Sequence, residues 1–264
     1  MFLTPIDFAT MYGEHKRCST FQKKDSSSWD SKSADMAPRM IRSKYVDDFI
    51  SKMSVNSDDV ILDIGCGPGT LAIPLAKMAK KVIAIDFSPK MLEVLENYAH
   101  EEGVTNIETH CLCWDDDWVI DDEIDIIVAS RSMEVDDMRF TLEKISKIAK
   151  KSCYVTYKAG GSFVDSEILD FIGKKIQSKP DFWYLPLMLY EMGYLPRVDY
   201  IEVPNGSVRD KSKDEFINSL IWSVHHLDDN QIELAKEYYD SVIVAQNRPI
   251  KPTNWAFISW NTAK

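Results

Sequence analysis

The sequence is poor in cysteine and has no long apolar run. Its five cysteines are scattered through 264 residues and odd in number, a pattern that favours a reducing compartment over a disulfide framework. No stretch approaches the roughly 20 apolar residues that cross a bilayer, and the first residues lack the basic and apolar regions of a signal peptide. We therefore expect a cytoplasmic protein without a membrane span.

Basic residues are outnumbered by acidic residues. The chain has 31 lysines and arginines against 42 acidic residues, which gives a net charge of −11, and its basic pairs are short and scattered. Broad neutralisation of phosphates needs a cationic face, so we do not expect nucleic acid as a partner. The hydrophobic fraction of 45% excludes a disordered chain, and the length fits one large domain or a domain with an insertion.

Apolar runs of strand length alternate with helical patterns along the chain. Strands are predicted at 60–64, 82–85, 106–113, 124–130, 153–158, 198–203 and 254–260. This alternation is typical of a doubly wound, Rossmann-like α/β fold. We predict a mostly parallel seven-stranded sheet with helices on both faces, a helical insertion between the last strands, and an N-terminal arm.

The chain divides into two predicted regions. Residues 1–37 are polar with little periodicity, which indicates either a mobile arm or a lid that orders over a ligand. Residues 38–264 form the main domain. Within it, 164–195 and 207–250 carry more helix than the sheet needs, and we interpret them as a cap or an oligomer interface, which leaves a homodimer open. The apolar run 182–190 could line a pocket or face the core.

Three of the ten glycines fall within five residues, directly after the first predicted strand. Gly65, Gly67 and Gly69 follow Asp63, and Asp86 ends the next strand, 23 residues after Asp63. Glycine lets a backbone approach a ligand closely, and an acid at the end of this second strand can accept hydrogen bonds from ribose hydroxyls. The spacing Gly-x-Gly-x-Gly differs from the dinucleotide pattern Gly-x-Gly-x-x-Gly, which disfavours an NAD-dependent oxidoreductase.

Segments 60–70 and 85–92 together resemble the class I S-adenosylmethionine-dependent methyltransferase family, and the resemblance covers about 38–158. It implies S-adenosyl-L-methionine as cofactor and S-adenosyl-L-homocysteine as product. In the family, Asp63, Gly65 and Gly67 would hold the methionine end, Asp86 the ribose, and Phe87 would lie along the adenine. The implied cofactor-binding set is Asp63, Gly65, Cys66, Gly67, Gly69, Asp86, Phe87, Met91, Trp114, Asp115 and Ser130.

One family feature is displaced in this sequence. After the third strand, the family usually carries an acid that binds the adenine amino group. Here that place reads Cys113-Trp114-Asp115, so the acid lies about two positions late. Trp114 could contact adenine or pack at the sheet edge, and Asp115 could still reach the exocyclic amine.

The catalytic residues are not defined by the sequence. Arg131, which follows the fourth strand, would face the methionine moiety and the acceptor in the family, and it could meet a carboxylate or remain a surface residue. An acceptor hydroxyl would benefit from a general base, whereas an amine or a thiolate would not need one. The candidates for that base are Tyr12, His15, Glu134 and His225.

We predict no metal site. Alternation along a strand places His110 opposite Cys111 and Cys113, and these thiols are expected to be buried in the sheet. The acidic run 115–122 lacks the glycine and the spaced ligands of an EF-hand loop.

The predicted function is methyl transfer to a small-molecule acceptor by in-line displacement, in which the protein orients the reactants and excludes water. Two alternatives stay open: a methyltransferase that acts on tRNA or protein, and a non-catalytic cofactor-binding protein with the same fold.

Overall fold

A computed structural model describes residues 6–21, 23–31, 43–203, 212–246 and 252–263, and a seven-stranded sheet runs through them. The strands are β1 (Val60–Ile64), β2 (Lys81–Asp86), β3 (Ile107–Cys111), β4 (Ile126–Ser130), β5 (Ser152–Lys158), β6 (Arg197–Val203) and β7 (Thr253–Asn261). Their order is β3-β2-β1-β4-β5-β7-β6, with the first five strands parallel and β7 antiparallel to both of its neighbours. The predicted fold class is confirmed.

Helices connect these strands and precede the first one. They are α1 (Phe8–Cys18), α2 (Ser26–Asp30), α3 (Lys44–Ser51), α4 (Ala72–Ala76), α5 (Pro89–Glu101), α6 (Met138–Ile148), α7 (Ser166–Phe171), α8 (Tyr184–Glu191), α9 (Lys213–Val224) and α10 (Asp229–Tyr238), which continues into a π-helical segment, Tyr239–Val244. Several begin at a capping side chain. The hydroxyl of Ser88 accepts a hydrogen bond from the Met91 N–H, and Pro89 occupies the first turn of α5.

Two apolar cores lie on opposite faces of the sheet. In β1, Leu62 and Ile64 pack on one face, together with side chains of α1, α6 and α8. Ile61 packs on the other face, beneath α3, α4 and α5. All five residues of β1 are buried, because helices cover both faces of the strand. The predicted continuous apolar strand therefore corresponds to the centre of the sheet.

A third, smaller core lies in the late helices. Ile168 of α7, Leu220 of α9 and Ala235 of α10 pack in one cluster that is separate from the two sheet faces. Helix α8 belongs instead to the core beside the sheet, where Leu185 and Met188 are fully buried. The run 182–190 therefore faces the core with these two side chains. The division into an arm and a domain with insertions stays a prediction.

The N-terminal segment contains helix α1, although its sequence shows little periodicity. The Asp7 carboxylate caps α1 by accepting the Thr10 N–H at 2.9 Å. Tyr12 is 1% exposed and meets Tyr184 edge to face, with 5.7 Å between ring centroids. A single deeply buried side chain gives no helical repeat, which explains why the pattern alone does not reveal this helix. Residues 1–5, 22 and 32–37 of the predicted arm, and residues 38–42 at the start of the predicted main domain, lie outside the described residues.

The thiols of the third strand differ from the prediction. Cys111 is exposed and Cys113 is half-buried, so the expectation of buried thiols is wrong for both. The physical reason is position, because β3 is an edge strand of the sheet and Cys113 lies beyond its end. Across the described residues, no group of three or more potential ligands is arranged to hold a metal ion.

A buried acid anchors the start of the sheet. Asp59, which is fully buried, precedes β1 and accepts a hydrogen bond from Lys151 Nζ at 2.5 Å. The same ammonium group lies 3.0 Å from Asp125 Oδ1, and Asp125 Oδ2 accepts the Val60 N–H at 3.0 Å. Lys151 therefore ties together the chain segments that enter β1, β4 and β5.

We expect Lys151→Met to lower the melting temperature by about 3–8 °C, because it leaves the carboxylate of Asp59 buried without its cation. Thermal unfolding followed by circular dichroism measures the shift. Lys150→Met is the matched control, since the neighbouring Lys150 pairs with Glu123, an acid whose side chain is 80% exposed. Equal melting temperatures for the two variants would contradict the prediction.

Candidate active site

The glycine loop is held on the end of the second strand by backbone hydrogen bonds. The N–H groups of Gly65 and Cys66 donate to the Ile85 carbonyl at 2.7 and 3.1 Å. Gly65 has φ of 67°, and a Cβ there would lie 2.3 Å from Cβ of Ser132. Gly67 has φ of 54°, and a Cβ there would meet nothing within 4 Å. The loop is therefore packed tightly at Gly65 and open to a ligand at Gly67.

The acid that ends β2 shapes the same loop. Asp86 is 6% exposed, and its Oδ2 accepts the Gly67 N–H at 2.8 Å, whereas Oδ1 accepts the Ser88 N–H at 2.9 Å. Burial raises the pKa of Asp86, although these N–H groups oppose the shift. Each carboxylate oxygen retains acceptor capacity after one hydrogen bond. Asp86 can therefore hold the loop and still accept hydrogen bonds from a diol.

Asp63, the acid of β1, lacks a hydrogen-bond partner for one of its carboxylate oxygens. Asp63 is 1% exposed, and within the described part of the chain its Oδ2 has no hydrogen-bond partner. Burial, together with the nearby charge of Asp86, raises the pKa of Asp63 to about 7. A buried carboxylate is costly unless a cation or donors satisfy it. The orphaned oxygen and the open space at Gly67 fit the ammonium-bearing end of the cofactor that the resemblance implies.

The other implied cofactor contacts surround this edge of the sheet. Phe87 lies just beyond β2 and is 37% exposed, whereas Met91 is buried in the first turn of α5. Trp114 Nε1 donates to the Ser132 carbonyl at 2.9 Å, and the indole packs against Trp118. Four implied residues remain. Cys66 and Gly69 are buried, Asp115 is exposed, and the Ser130 hydroxyl lies 2.7 Å from the Tyr45 hydroxyl. Their roles toward the cofactor stay predictions.

A cluster at the end of β4 joins Ser130 and Arg131, which the resemblance implies, to Tyr45 and Thr156, which were not predicted. The Tyr45 hydroxyl bridges the hydroxyls of Ser130 and Thr156 at 2.7 and 2.8 Å. The guanidinium of Arg131 lies 4.3 Å from the Tyr45 ring centroid. The Ser132 hydroxyl donates to the Ile64 carbonyl at 2.6 Å, which fixes this turn against the glycine loop. Arg131 therefore lies at the edge of the sheet that carries the glycine loop, which we call the cofactor edge.

A cavity of about 400 Å³ lies between α1 and the ends of β4 and β5. The lining residues are Tyr12, Gly13, Lys16, Arg17, Ser19, Phe21, Lys23, Glu134, Asp136, Tyr157, Lys179 and Pro180. The Tyr12 hydroxyl donates to the Val135 carbonyl at 3.0 Å, and burial raises the pKa of Tyr12 above its usual value. Glu134 forms an ion pair with Lys179. Two of the predicted base candidates, Tyr12 and Glu134, therefore share one cavity.

The two histidine candidates do not line this cavity. His15 Nδ1 lies 3.3 Å from the Tyr184 hydroxyl. His225 ends α9, among the late helices, and its Nδ1 lies 3.3 Å from Lys24 Nζ.

Sequence reasoning missed Tyr45, Tyr157 and Lys179. Tyr157 had a usable signal, because it stands near the carboxyl end of a predicted parallel strand, where ligands bind. Lys179 had none, since it lies in a connection between two helices, far along the chain from Glu134.

Comparisons with known proteins agree with this geometry. A family model described as a methyltransferase domain matches residues 61–152. The chain is 32% identical to an uncharacterised protein of Haemophilus influenzae over 99% of its own length and 98% of that protein. It is 30% identical to a probable ribosomal RNA small subunit methyltransferase A of Methanosphaera stadtmanae, over 50% of this chain and 43% of that protein. The expectation that nucleic acid is not a partner is therefore not supported by the comparisons.

Solved structures share the fold. The YcgJ protein of Bacillus subtilis matches with a TM-score of 0.59 at 16% identity, over 83% of this chain and 98% of that one. A SAM-dependent methyltransferase of Aquifex aeolicus matches with a TM-score of 0.50 at 20% identity, over 70% of this chain and 94% of that one. None of the described helices is long and apolar enough to cross a membrane. With its glycine loop, its two strand-end acids and the matched domain, the chain belongs to the class I S-adenosylmethionine-dependent methyltransferase family.

Proposed function

We propose that this methyltransferase acts on a small-molecule acceptor bound in the cavity between α1 and the ends of β4 and β5. The cavity itself is the observation that supports the proposal. Its volume of about 400 Å³ lies within the range typical of small-ligand sites, roughly 300–1,000 Å³. Glu134 follows β4, which pairs with β1, so the cavity lies at the same edge of the sheet as the glycine loop, where an in-line transfer between two bound molecules would need it.

Some residues of the chain would hold the cofactor at this site, and others would line the neighbouring cavity. S-adenosyl-L-methionine supplies an electrophilic methyl group when bound. Asp63 would bind the cationic amino group, Asp86 would accept hydrogen bonds from the ribose, and the open backbone at Gly67 would allow close approach. Helix α1 forms one wall of the neighbouring cavity, through Tyr12, Lys16 and Arg17.

Glu134 is the best-placed candidate for a general base. The phenol of Tyr12 is protonated at neutral pH, and burial raises its pKa further above its usual value, so its hydroxyl acts as a hydrogen-bond donor to the Val135 carbonyl rather than as a base. Glu134 faces the cavity as a carboxylate beside Lys179, and its side chain is 44% exposed. An acceptor hydroxyl could transfer its proton to this carboxylate, whereas an amine acceptor would not require it.

An RNA acceptor is the second candidate function. It is favoured by the ribosomal RNA methyltransferase among the relatives and by the four cations that line the cavity, Lys16, Arg17, Lys23 and Lys179. All four cations have acidic partners close by. Lys16 and Lys23 lie 2.9 and 3.9 Å from Asp136, Lys179 pairs with Glu134, and Arg17 pairs with Glu14. This pairing reduces the positive charge available to a phosphate backbone, and we therefore favour the small molecule.

Methyl-labelled S-adenosyl-L-methionine distinguishes the two acceptors. Incubated with the protein, a low-molecular-mass cell extract should gain label, and total RNA from the same cells should not. Label in RNA alone would contradict the proposal. Binding of S-adenosyl-L-homocysteine without transfer to either fraction, or to protein, would favour the non-catalytic alternative.

We expect Asp86→Ala to weaken S-adenosyl-L-homocysteine binding by about 1–3 kcal/mol, because it removes a charged hydrogen-bond acceptor for the ribose. It also removes the acceptor for the Gly67 N–H. Isothermal titration calorimetry measures the change, and Asp117→Ala, which removes an exposed acid, is the control. Unchanged affinity in a folded Asp86→Ala protein would refute the ribose assignment.

Asp63→Asn should stabilise the free protein at pH 8 while weakening cofactor binding. The pKa of Asp63 is raised from 3.8 to about 7, so the folded protein retains a proton that the unfolded chain loses. Stability of the wild type therefore falls as pH rises from about 4 to 7, and the full penalty of about 1–4 kcal/mol is present above pH 7. Asparagine does not ionise and avoids this penalty.

Urea unfolding at pH 4.5 and pH 8 checks this prediction. The advantage of Asp63→Asn should be present at pH 8 and mostly disappear at pH 4.5, whereas Asp117→Asn should show no advantage at either pH. A variant that is less stable than the wild type at pH 8 would show that the Asp63 carboxylate contributes to the fold rather than to a ligand.

A further inference from the structure

Three half-buried lysines lie around the carboxyl end of β5. Lys158 is the last residue of that strand, Lys179 lies in the connection between α7 and α8, and Lys24 lies between α1 and α2. The ammonium groups of Lys158 and Lys179 each lie 5.7 Å from the ring centroid of Phe163. Burial, together with the charge of Lys179, lowers the pKa of Lys24, so these two cations repel each other. We call Lys24, Lys158 and Lys179 the lysine cluster.

The lysine cluster carries more positive charge than its ion pairs neutralise. Within the described part of the chain, Lys179 pairs with Glu134, whereas Lys24 and Lys158 have no carboxylate oxygen within 4.0 Å. The polar contacts of these two ammonium groups are with a histidine ring and with a backbone carbonyl. The cluster is therefore locally cationic, in a chain whose net charge is −11.

Two further acids act on the lysine cluster from a longer distance, and both already accept backbone hydrogen bonds. Asp181 accepts the Gly160 N–H at 3.0 Å and the Phe182 N–H at 2.7 Å. Asp25 caps α2 by accepting the Ser28 N–H at 2.9 Å. Because these carboxylates hold the local backbone, they leave room for another anion at the ammonium groups.

Aromatic rings lie beside the same ammonium groups. Lys179 Nζ lies 5.3 Å from the ring centroid of Phe21, which lines the cavity next to α1 together with Lys179 itself. Phe163 is 48% exposed and packs against Trp255, with 5.9 Å between ring centroids. Lys179 therefore joins the lysine cluster to the cavity, and the rings give the site an apolar surface next to its positive charge.

We propose that the acceptor is a net anionic small molecule whose carboxylate or phosphate group binds Lys158 and Lys179, while its apolar part contacts Phe21 and Phe163. Charge-assisted hydrogen bonds from ammonium groups to such oxygens are among the stronger polar contacts in proteins. One anionic group needs cations at a single point, whereas an RNA backbone needs them along a whole face. This inference rests on the proposed function and names the class of acceptor that the cavity takes.

The wild-type protein gives the first test, through the charge of the acceptor. A low-molecular-mass cell extract is separated at pH 8 on an anion-exchange column, and each fraction is incubated with the protein and methyl-labelled S-adenosyl-L-methionine. We expect most of the label to enter the retained fraction, because carboxylates and phosphates are ionised at this pH. Most label in the unretained fraction would overturn the inference. Label in neither fraction would contradict the proposed small-molecule function itself, which is a different result.

Alkaline phosphatase distinguishes the two anionic groups. If the retained acceptor carries a phosphate monoester, treatment of the fraction moves the acceptor activity to the unretained material. If it carries a carboxylate, the activity stays in the retained fraction. Both results agree with an anionic group at the lysine cluster.

The variants Lys158→Met and Lys179→Met give the second test. Each should raise the amount of retained fraction that gives half-maximal transfer by about 10-fold or more, the scale of one hydrogen bond to a charged group. Lys158→Met is the more specific of the two, because Lys158 does not pair with Glu134, the candidate base. Calorimetry should show S-adenosyl-L-homocysteine binding within about twofold of the wild type for both. The control is Lys147→Met, which removes a lysine whose side chain is 75% exposed on α6.

Two results with the variants would contradict the proposal. An unchanged half-saturating amount for both would show that the lysine cluster does not bind the acceptor. A lower maximal rate of Lys179→Met at an unchanged half-saturating amount would show that Lys179 acts only through Glu134. Should both variants fail to fold, the anion-exchange experiment with the wild type still decides the question.

Discussion

The attachment of the glycine loop to the end of β2 is the constraint on which the rest of the site depends. Two backbone N–H groups of the loop donate to the Ile85 carbonyl, and the Gly67 N–H donates to the Asp86 carboxylate. These bonds fix the path of the chain between β1 and α4. Because the loop is held from the β2 side, its opposite side at Gly67 remains open. One carboxylate thus sets the shape of the site and remains available to a ligand.

The contacts around this loop extend the constraint to β4. Ser132 fills the space that a side chain at Gly65 would occupy, and its hydroxyl donates to the Ile64 carbonyl. Trp114 donates to the Ser132 carbonyl from the segment after β3. The ends of β1, β2 and β4 are therefore locked in one arrangement. Within it, the carboxyl group of Asp63 is held in place before any ligand binds, and the free protein bears the cost of its burial.

The sequence predicted the parts of the structure that follow from local pattern. The strands and the glycine loop were accessible, because a continuous apolar run and a Gly-x-Gly-x-Gly turn each reflect a local backbone requirement. Helix α1 was not accessible, since Tyr12 is its only fully buried residue. The cavity beside α1 was hidden for another reason, because Tyr12, Glu134 and Lys179 come from distant parts of the chain and meet only through the tertiary fold.

The N-terminal segment connects the two halves of the proposed site. Helix α1 lines the cavity through Tyr12, and at the end of α2 Asp30 accepts a hydrogen bond from the Ser88 hydroxyl at 2.5 Å, beside Asp86. Between these contacts, Trp29 meets Trp222 of the late helices edge to face. The N-terminal segment therefore lines this cavity and contacts both the end of β2 and the late helices.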